Sequence, residues 1–223
     1  MPGHVAVVTG GAGAIGAEVC RSLAADGMRV AVTDIDRDAS QAAADSLPGS
    51  GHAGLAIDVA DLEAVEAGIA QVVDQLGPVD VLVNVAGWDR FVPFVDTTPD
   101  FWDRVIDVNY RGVLNTCRPE VPSMLERQRG SIGNVASDAA RVGASLESSY
   151  SGAKGAGVAF SKSLAREVAR SQVRVNVVCP GPTDTPLIRG MADDQGDGEK
   201  FLNALTRAIP MRRLASPADI APA

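Results

Sequence analysis

The chain has 223 residues, of which 46% are hydrophobic, and it carries a net charge of -8 at pH 7. This length and apolar content suit one buried core, so we predict a single domain over residues 1–223. The negative charge argues against a nucleic-acid partner, and no apolar run is long enough to span a bilayer. Three widely spaced cysteines and a start that lacks the layout of a signal peptide favour the reducing cytoplasm. With only two histidines, no metal site is expected.

Strand-like runs alternate with helical patterns along the whole chain. Alternation of this kind predicts βαβ units and a parallel sheet, that is, a Rossmann-like, doubly wound α/β fold with helices on both faces. The predicted strands lie near residues 4–9, 28–33, 52–57, 79–84, 130–136 and 173–179. The predicted helices lie near residues 14–26, 38–46, 61–76, 99–127 and 149–170.

A glycine-rich turn follows the first predicted strand, and a helix begins directly after it. Glycine allows a tight turn and a close approach of the backbone to a pyrophosphate, while the free N–H groups and dipole of the new helix hold the anion. A purely structural turn is the alternative, but the position between strand and helix favours binding. The residues we predict to bind a dinucleotide here are Gly10, Gly13, Ala14, Ile15 and Gly16.

The second predicted strand ends in Asp34, eighteen residues after Gly16. A dinucleotide fold carries a ribose-binding acid at about this distance. Such a carboxylate accepts hydrogen bonds from the ribose hydroxyls and repels a 2′-phosphate. The glycine turn contains no Arg or Lys, and Ile35 follows the acid, so we expect NAD rather than NADP. Arg37 argues for NADP, and an ordinary turn acid is the alternative for Asp34.

Ser137, Tyr150 and Lys154 form the candidate catalytic set. Tyr150 and Lys154 are four residues apart in a predicted helix, so their side chains lie on one face. Free tyrosine, with a pKa of about 10, is a poor base at neutral pH. We expect the lysine ammonium to lower this pKa and make Tyr150 a general base. We expect Ser137 to hydrogen-bond the same substrate oxygen. Because a Tyr/Lys pair at this spacing is common by chance, its weight depends on the other motifs.

The polar and glycine-rich motifs share one position, at the carboxyl end of a predicted strand. In open parallel sheets, ligands bind beyond these ends. We therefore expect one cluster at a single edge of the sheet. Its members are the glycine turn, Asp34, Asp58, Asn84, Ser137 and Pro180-Gly181.

Taken together, these motifs resemble the short-chain dehydrogenase/reductase family along nearly the whole chain. The matching segments are Thr9 to Gly16, Asp58-Val59, Asn84 to Gly87, Asn109 within residues 107–112, the Ser/Tyr/Lys set, and Cys179 to Thr185. The resemblance implies an oxidoreductase that transfers hydride between a secondary alcohol and a nicotinamide cofactor. The further cofactor-binding residues that it implies are Asp58, Val59, Asn84, Ala86, Gly87, Tyr150, Lys154, Pro180, Gly181, Thr183 and Thr185.

The resemblance also implies individual roles. Lys154 would contact the nicotinamide ribose, and Thr185 would contact the carboxamide. Asn109 would hold a water that links Lys154 to solvent. A hydrogen bond from Asn109 to the helix backbone is the alternative, and the two roles can coexist.

Three departures from the family pattern stand out. Ala14 replaces the third glycine, and Val85 replaces the second asparagine of the Asn84 motif. The chain stops at Ala223, where the family continues through a helix and a final strand. We therefore expect the last edge strand to be missing. The family's missing segment often builds a subunit interface, and a homo-oligomer, dimeric or tetrameric, is the expected assembly.

The substrate residues are expected in the loops around the catalytic set. Trp88, Phe94 and Leu146 indicate an apolar, cyclic substrate, although packing against a second subunit explains them equally well. Arg141 is expected to bind a carboxylate, thioester or CoA phosphate; a solvated surface arginine is its alternative. Segments 86–89, 136–143 and 178–185 resemble family members that oxidise a ring hydroxyl on an acyl-CoA, of the 2-hydroxycyclohexanecarboxyl-CoA type. The alternatives are an NADPH-dependent 3-oxoacyl reductase and a non-catalytic dinucleotide-binding protein.

Overall fold

A six-stranded parallel sheet forms the centre of the molecule, which a computed structural model describes over residues 3–223. The spatial order is β3-β2-β1-β4-β5-β6, so the order reverses between β1 and β4, where such folds open a binding crevice. The strands are β1 (Val5–Thr9), β2 (Arg29–Asp34), β3 (Ala53–Ala56), β4 (Val81–Asn84), β5 (Gly130–Val135) and β6 (Val173–Val178). The predicted fold class is confirmed.

Helices connect successive strands and cover both faces of the sheet. They are α1 (Ala14–Ala25), α2 (Arg37–Asp45), α3 (Leu62–Leu76), α4 (Pro99–Ile106), α5 (Gly112–Glu126), α6 (Ala139–Val142), α7 (Ser148–Val168), α8 (Pro186–Asp193), α9 (Gly198–Ala208) and α10 (Pro217–Ile220). The helix predicted over residues 99–127 is divided by a π-helical turn, Asp107–Arg111. Wide turns of this kind often occur at functional sites, and this one contains Asn109.

The central strands are buried on both faces, which explains their continuous apolar sequence. In β1, Val5 and Val7 pack on one side, and Ala6 and Val8 pack on the other. Helices α3, α5 and α7 cover the first side, and α1 and α2 cover the second. A core on each face fixes the register of the strands and therefore the positions of the loops at their carboxyl ends.

The chain beyond β6 is helical in the part that the structure describes. It forms α8, α9 and α10, with one isolated parallel bridge between Thr183 and Ala215, and adds no seventh strand up to residue 223. Residues 194–197 join α8 to α9. In this structure Ala192 is fully buried, and Gln195 Nε2 donates a 2.9 Å hydrogen bond to the Phe91 carbonyl.

Candidate active site

A groove of about 390 Å³ lies over the carboxyl ends of β1, β2 and β4. Most of the predicted cofactor residues meet there, as the strand-end argument requires. The predicted residues that line the groove are Gly10, Gly13, Ala14, Ile15, Gly16, Asp34, Ile35, Asp58, Val59, Ala86, Gly87 and Thr185. The lining residues that the sequence analysis did not predict to bind the cofactor are Ile57, Val85, Arg104, Val108, Pro186 and Leu187; of these, only Val85 lies within one of the motifs, Asn84 to Gly87.

The glycine turn packs so closely that side chains are excluded. Gly10 has a φ of +62°, and a Cβ there would lie 2.8 Å from the Ala86 backbone. A Cβ on Gly16 would overlap the Gly10 carbonyl oxygen and lie 2.8 Å from Gly11 Cα. Helix α1 begins here, and its first N–H groups have no partner within the helix. The turn therefore offers backbone donors to an anion, and it fits the pyrophosphate of a dinucleotide.

Asp34 connects the end of β2 to this turn. One carboxylate oxygen accepts a hydrogen bond from Ala12 N at 3.2 Å, and the other accepts from Ile35 N at 2.8 Å. Ile35 itself is 72% exposed on the groove. A carboxylate beside an exposed apolar side chain fits an adenosine ribose and base.

Asn84 lies beneath the groove rather than in its wall. It is 4% exposed, and its side-chain amide donates to Asn134 Oδ1 and accepts from Thr116 Oγ1, both at 2.8 Å. The network continues from Asn134 Nδ2 to Ser161 Oγ at 2.8 Å. It ties β4 to β5, α5 and α7, so the side chain of Asn84 supports the floor of the site.

The segment after β6 reaches the groove through Thr185. Pro180, Gly181 and Thr183 do not line it. The Pro180 carbonyl accepts a hydrogen bond from Asp138 N at 2.8 Å, and the buried Thr183 hydroxyl donates to the Gly181 carbonyl at 2.9 Å. These three residues shape the turn that carries Thr185 to the groove.

The catalytic set converges between β5 and α7. Tyr150 and Lys154 lie on the same face of α7, and the Lys154 Nζ is 5.7 Å from the centre of the Tyr150 ring. Lys154 is 5% exposed and donates a 2.9 Å hydrogen bond to the Val135 carbonyl at the end of β5. Ser137 follows β5, and its hydroxyl accepts a hydrogen bond from Ala139 N at 3.2 Å. The hydroxyl also lies close enough to the Tyr150 phenol to favour the phenolate. One hydroxyl of a substrate would therefore meet two protein hydroxyls.

The proton affinity of Tyr150 differs from the sequence prediction. Burial raises the pKa of Tyr150 above its ordinary value, and Glu147 and Asp89 raise it further, whereas the hydrogen bond with Ser137 opposes the shift. Burial lowers the pKa of Lys154 to about 8, partly offset by Asp89. The prediction of a lowered Tyr150 pKa is wrong, because burial and the two carboxyl groups raise this pKa.

Two carboxyl groups beside Tyr150 escaped the sequence analysis. Asp89 lies on the loop after β4, and Glu147 directly precedes α7. Both line a narrow crevice together with Tyr150, Phe94 and Leu146. The two acids are 58 positions apart in the sequence. No motif connects them, so only the fold reveals that they lie close together.

Asn109 lies in the π-helical turn, and its side chain fixes the loop after β4 by hydrogen bonds. Its amide nitrogen donates to the carbonyls of Trp88 at 2.6 Å and Val105 at 2.9 Å, and its oxygen accepts from Trp88 N at 3.3 Å. A Cβ built on Gly87 would lie 3.1 Å from Asn109 Oδ1 and 3.6 Å from Lys154 Nζ. The alternative of a backbone hydrogen bond is therefore confirmed, and the water relay stays a prediction.

The predicted substrate residues occupy different surroundings. Trp88 lines the cofactor groove, with the Arg104 guanidinium 4.0 Å from the centre of its ring. Phe94 and Leu146 line the crevice beside Tyr150. Arg141 lies on α6 rather than in a loop; its side chain is 66% exposed, and it forms a 3.6 Å ion pair with Asp138. Arg141 is therefore placed like a solvated surface arginine, which is the alternative that the sequence analysis gave for this residue.

Two other kinds of site are not found within residues 3–223. No group of three or more His, Cys, Asp or Glu side chains is positioned there to hold a metal ion. None of the helices in this range is both long and apolar enough to cross a membrane.

Comparisons with known proteins agree with this geometry. Residues 4–196 match the family model described as short chain dehydrogenase. The acetoacetyl-CoA reductase of Acinetobacter sp. (strain RA3849) is 35% identical over 98% of this chain and 88% of that enzyme. The 2,3-dihydro-2,3-dihydroxybenzoate dehydrogenase of Bacillus subtilis (strain 168) is 34% identical over 100% of this chain and 88% of that enzyme.

Solved structures give the same result. The crystal structure of a point variant of actinorhodin polyketide ketoreductase with NADPH superimposes with a TM-score of 0.93, at 32% identity, over 98% of this chain and 87% of that chain. Members of the family bind a nicotinamide dinucleotide. The chain belongs to the short-chain dehydrogenase family and is an oxidoreductase that acts on CH–OH groups.

Proposed function

We propose that this protein is an NAD(H)-dependent oxidoreductase that interconverts a secondary alcohol and a ketone on an acyl-CoA, with a cyclic hydroxyacyl-CoA as substrate. The observation that carries the proposal is the proximity of Ser137, which follows the carboxyl end of β5, to Tyr150 of α7. The glycine turn and Asp34 line the groove at the carboxyl ends of β1 and β2, on the same edge of the sheet. This arrangement offers a dinucleotide its phosphate donors, a ribose acceptor and a pair of hydroxyls.

The protein groups handle the proton. When bound, the nicotinamide supplies or accepts the hydride at the carbinol carbon. In reduction, the Tyr150 phenol donates its proton to the ketone oxygen while the Ser137 hydroxyl donates a hydrogen bond to that oxygen. In oxidation, the Tyr150 phenolate takes the hydroxyl proton. Lys154, held by the Val135 carbonyl at 2.9 Å, can replace the proton at Tyr150, and its lowered pKa of about 8 suits this exchange.

The cofactor preference follows from Asp34. Its carboxylate lies at the groove surface and is fixed by Ala12 N and Ile35 N. A 2′-phosphate at this position would meet a like charge in a partly buried site. Arg37, three residues after Asp34 in the sequence, is exposed at the start of α2 and is a cation that would favour NADP.

The substrate class rests on two kinds of support. The named substrates of two relatives are a CoA thioester and a hydroxylated ring, and the proposed cyclic hydroxyacyl-CoA combines them. The apolar side chains of Phe94 and Leu146 border the crevice at Tyr150, which suits a ring. We keep Arg141 as the proposed contact for the acyl or CoA end of the substrate.

A second candidate function is reduction of a 3-oxoacyl thioester. The names of the relatives favour it, and so does the raised pKa of Tyr150, because a phenol that keeps its proton is a donor in reduction. The two candidates share the chemistry at Tyr150 and differ in substrate and physiological direction.

Steady-state kinetics at 340 nm tests the proposal. The panel contains 2-hydroxycyclohexanecarboxyl-CoA, 3-hydroxybutyryl-CoA, cyclohexanol and the matching ketones, each with NAD(H) and NADP(H). We expect the highest kcat/KM with the cyclic CoA ester and NAD. Preference for acetoacetyl-CoA with NADPH would establish the second candidate, and no turnover of any member by a folded, NAD-binding protein would refute both.

Variants test the contact at the acyl-CoA end. Arg141→Ala should raise KM for the CoA ester and leave both KM for cyclohexanol and the Kd for NAD unchanged. Arg170→Ala, an exposed arginine beyond the far end of α7, is the matched control. Equal losses on charged and uncharged alcohols would make Arg141 a structural residue.

The remaining partners that we propose are further copies of this chain, in a dimer or tetramer in the cytoplasm. The family resemblance supports this assembly. Analytical ultracentrifugation checks it, and a single sedimenting species of 23.0 kDa at micromolar concentration would refute it.

A further inference from the structure

Asp89 and Glu147 place two carboxyl groups in one buried crevice with the Tyr150 phenol. Asp89 is 3% exposed, and among residues 3–223 its Oδ2 atom is buried without a hydrogen-bond partner. Both side chains line the same crevice, which Tyr150 also lines, and each carboxyl group affects the pKa of the other. The proposed reaction steps use neither acid, so their burial at this position needs another explanation.

Two carboxylates that line one crevice repel each other, so the pair favours a state in which one of the two groups keeps a proton. Burial adds to this effect, since the crevice replaces water around the charge. It raises the pKa of Asp89 to about 8 and also raises that of Glu147. Near neutral pH the pair therefore carries one proton and one negative charge. Lys154 is the cation that faces this charge.

The other charged groups on the elements that pack against α7 are exposed or interact with a different side chain. The Arg104 guanidinium of α4 lies over Trp88, Arg111 of the π-helical turn pairs with Asp107, and Arg141 of α6 pairs with Asp138. Cys179, directly after β6, lies near Lys154 and slightly opposes the lowering of the Lys154 pKa. The other titratable side chains on elements packed against α7 are Asp100, Asp103, Tyr110, Arg170 and Arg174, none of which is buried.

We propose that Asp89 and Glu147 form a proton-sharing carboxyl pair that keeps Tyr150 protonated and thereby sets the pH at which the site changes from ketone reduction to alcohol oxidation. The proposal rests on the proposed function of Tyr150 as the proton-transferring group. Both acids are positioning residues, since they act on the substrate only through the phenol. The negative charge of the pair disfavours a second negative charge on the adjacent phenolate.

A single substitution removes one of the two ionisable carboxyl groups. Above the Asp89 pKa of about 8, where both native groups are charged, the variant carries one negative charge fewer beside the phenol, so the phenolate should be easier to form. Asp89→Asn and Glu147→Gln keep the size and hydrogen-bonding atoms of the side chains. Each variant should lower the pKa of Tyr150 by about one pH unit, the lower end of the usual effect of a neighbouring like charge. The pH profile for oxidation should then move to lower pH by the same amount, with little change in KM.

A spectroscopic titration measures this shift without any substrate. The chain has two tyrosines, Tyr110 and Tyr150, so in a Tyr110→Phe background the phenolate absorbance at 295 nm reports Tyr150 alone. Tyr110→Phe/Tyr150→Phe supplies the blank, and circular dichroism at each pH checks that the protein is folded. Glu63→Gln, at the exposed start of α3, is the control for a change in net charge.

We expect phenolate to appear at lower pH in the Glu147→Gln and Asp89→Asn variants than in the background, and at unchanged pH in Glu63→Gln. Glu147 is only half-buried, so its variant tests the proposal if Asp89→Asn does not fold. An unchanged or higher titration midpoint in folded Glu147→Gln would overturn the inference even if the enzyme turns over alcohols. A lowered midpoint in a protein that turns over no alcohol would support the inference and refute the proposed function.

Discussion

Gly16→Ala should disrupt the glycine turn because its methyl group would meet only backbone. The added Cβ would overlap the Gly10 carbonyl oxygen and lie 2.8 Å from both Gly10 C and Gly11 Cα. Gly10 cannot retreat, because it already packs against Ala86, where a Cβ of its own would lie 2.8 Å from the backbone. No flexible side chain is available to move aside, so the turn or the start of α1 must shift.

The cost of this shift can be bounded. Overpacking in a well-packed interior usually costs about 1–3 kcal/mol, and a clash with backbone alone belongs at the upper end. A loss of about 3 kcal/mol corresponds to a decrease in Tm of roughly 6–12 °C for a chain of this size. Urea denaturation should give a lower midpoint with an unchanged slope. Calorimetric titration should also show NAD affinity reduced by at least about tenfold, because a displaced turn loses charge-assisted hydrogen bonds to phosphate.

A second glycine-to-alanine change provides the control. Gly152 is an exposed position in α7, and a Cβ built there meets no described atom within 4 Å. Gly152→Ala should therefore stabilise the protein by up to about 1 kcal/mol, the helix-propensity difference, without affecting NAD binding. Wild-type stability and wild-type NAD affinity in Gly16→Ala would refute the reasoning on the glycine turn.

Three further predictions concern single side chains. Tyr150→Phe should lower kcat by about 10² to 10⁴-fold, as expected for loss of an acid/base group. Calorimetry should show an unchanged Kd for NAD, and hydride transfer near the wild-type rate in stopped flow would contradict the prediction. Asp34→Ala should narrow the ratio of NAD to NADP affinity, whereas an unchanged ratio would remove the carboxylate from cofactor selection. Burial raises the pKa of Glu120 to about 7, so its protonated form contributes stability below about pH 4.5 that is lost as the pH rises through 7. Glu120→Gln should therefore flatten the fall in unfolding free energy over this range, on the order of 3 kcal/mol in the wild type, and an equal slope in both proteins would disprove it.

The sequence predicted the fold because its signals are local. Apolar runs that are buried on both faces, such as Val5 to Thr9, alternate with helices whose ends carry ordinary stop and start residues. Gly77, at a φ of +90°, ends α3, and Thr98 caps α4 before Pro99. The division of residues 99–127 was missed because the π-helical turn depends on a tertiary contact, the hydrogen bond from Asn109 to the Trp88 carbonyl.

The sequence predicted the lining of the groove around the glycine turn and Asp34 better than it predicted the surroundings of Tyr150. Gly10, Gly16 and Asp34 follow strand ends, and strand ends of a parallel sheet always meet at one edge. The surroundings of Tyr150 instead depend on burial and on residues that are distant in sequence. The expectation of a lowered Tyr150 pKa considered only the neighbouring helical turn, which contains Lys154, and not the acids at positions 89 and 147 that approach from outside the helix.

Asn109 links the two halves of this site. Its side chain bonds both the N–H and the carbonyl of Trp88, so it fixes the backbone immediately before Asp89. The same amide donates to Val105, which stabilises the wide turn that brings it there. A change at Asn109 would therefore displace the Trp88 wall of the cofactor groove and the Asp89 carboxyl beside Tyr150 together. A kinetic loss in such a variant would not by itself identify a water relay, because the displaced acid pair alone would alter the protonation of Tyr150.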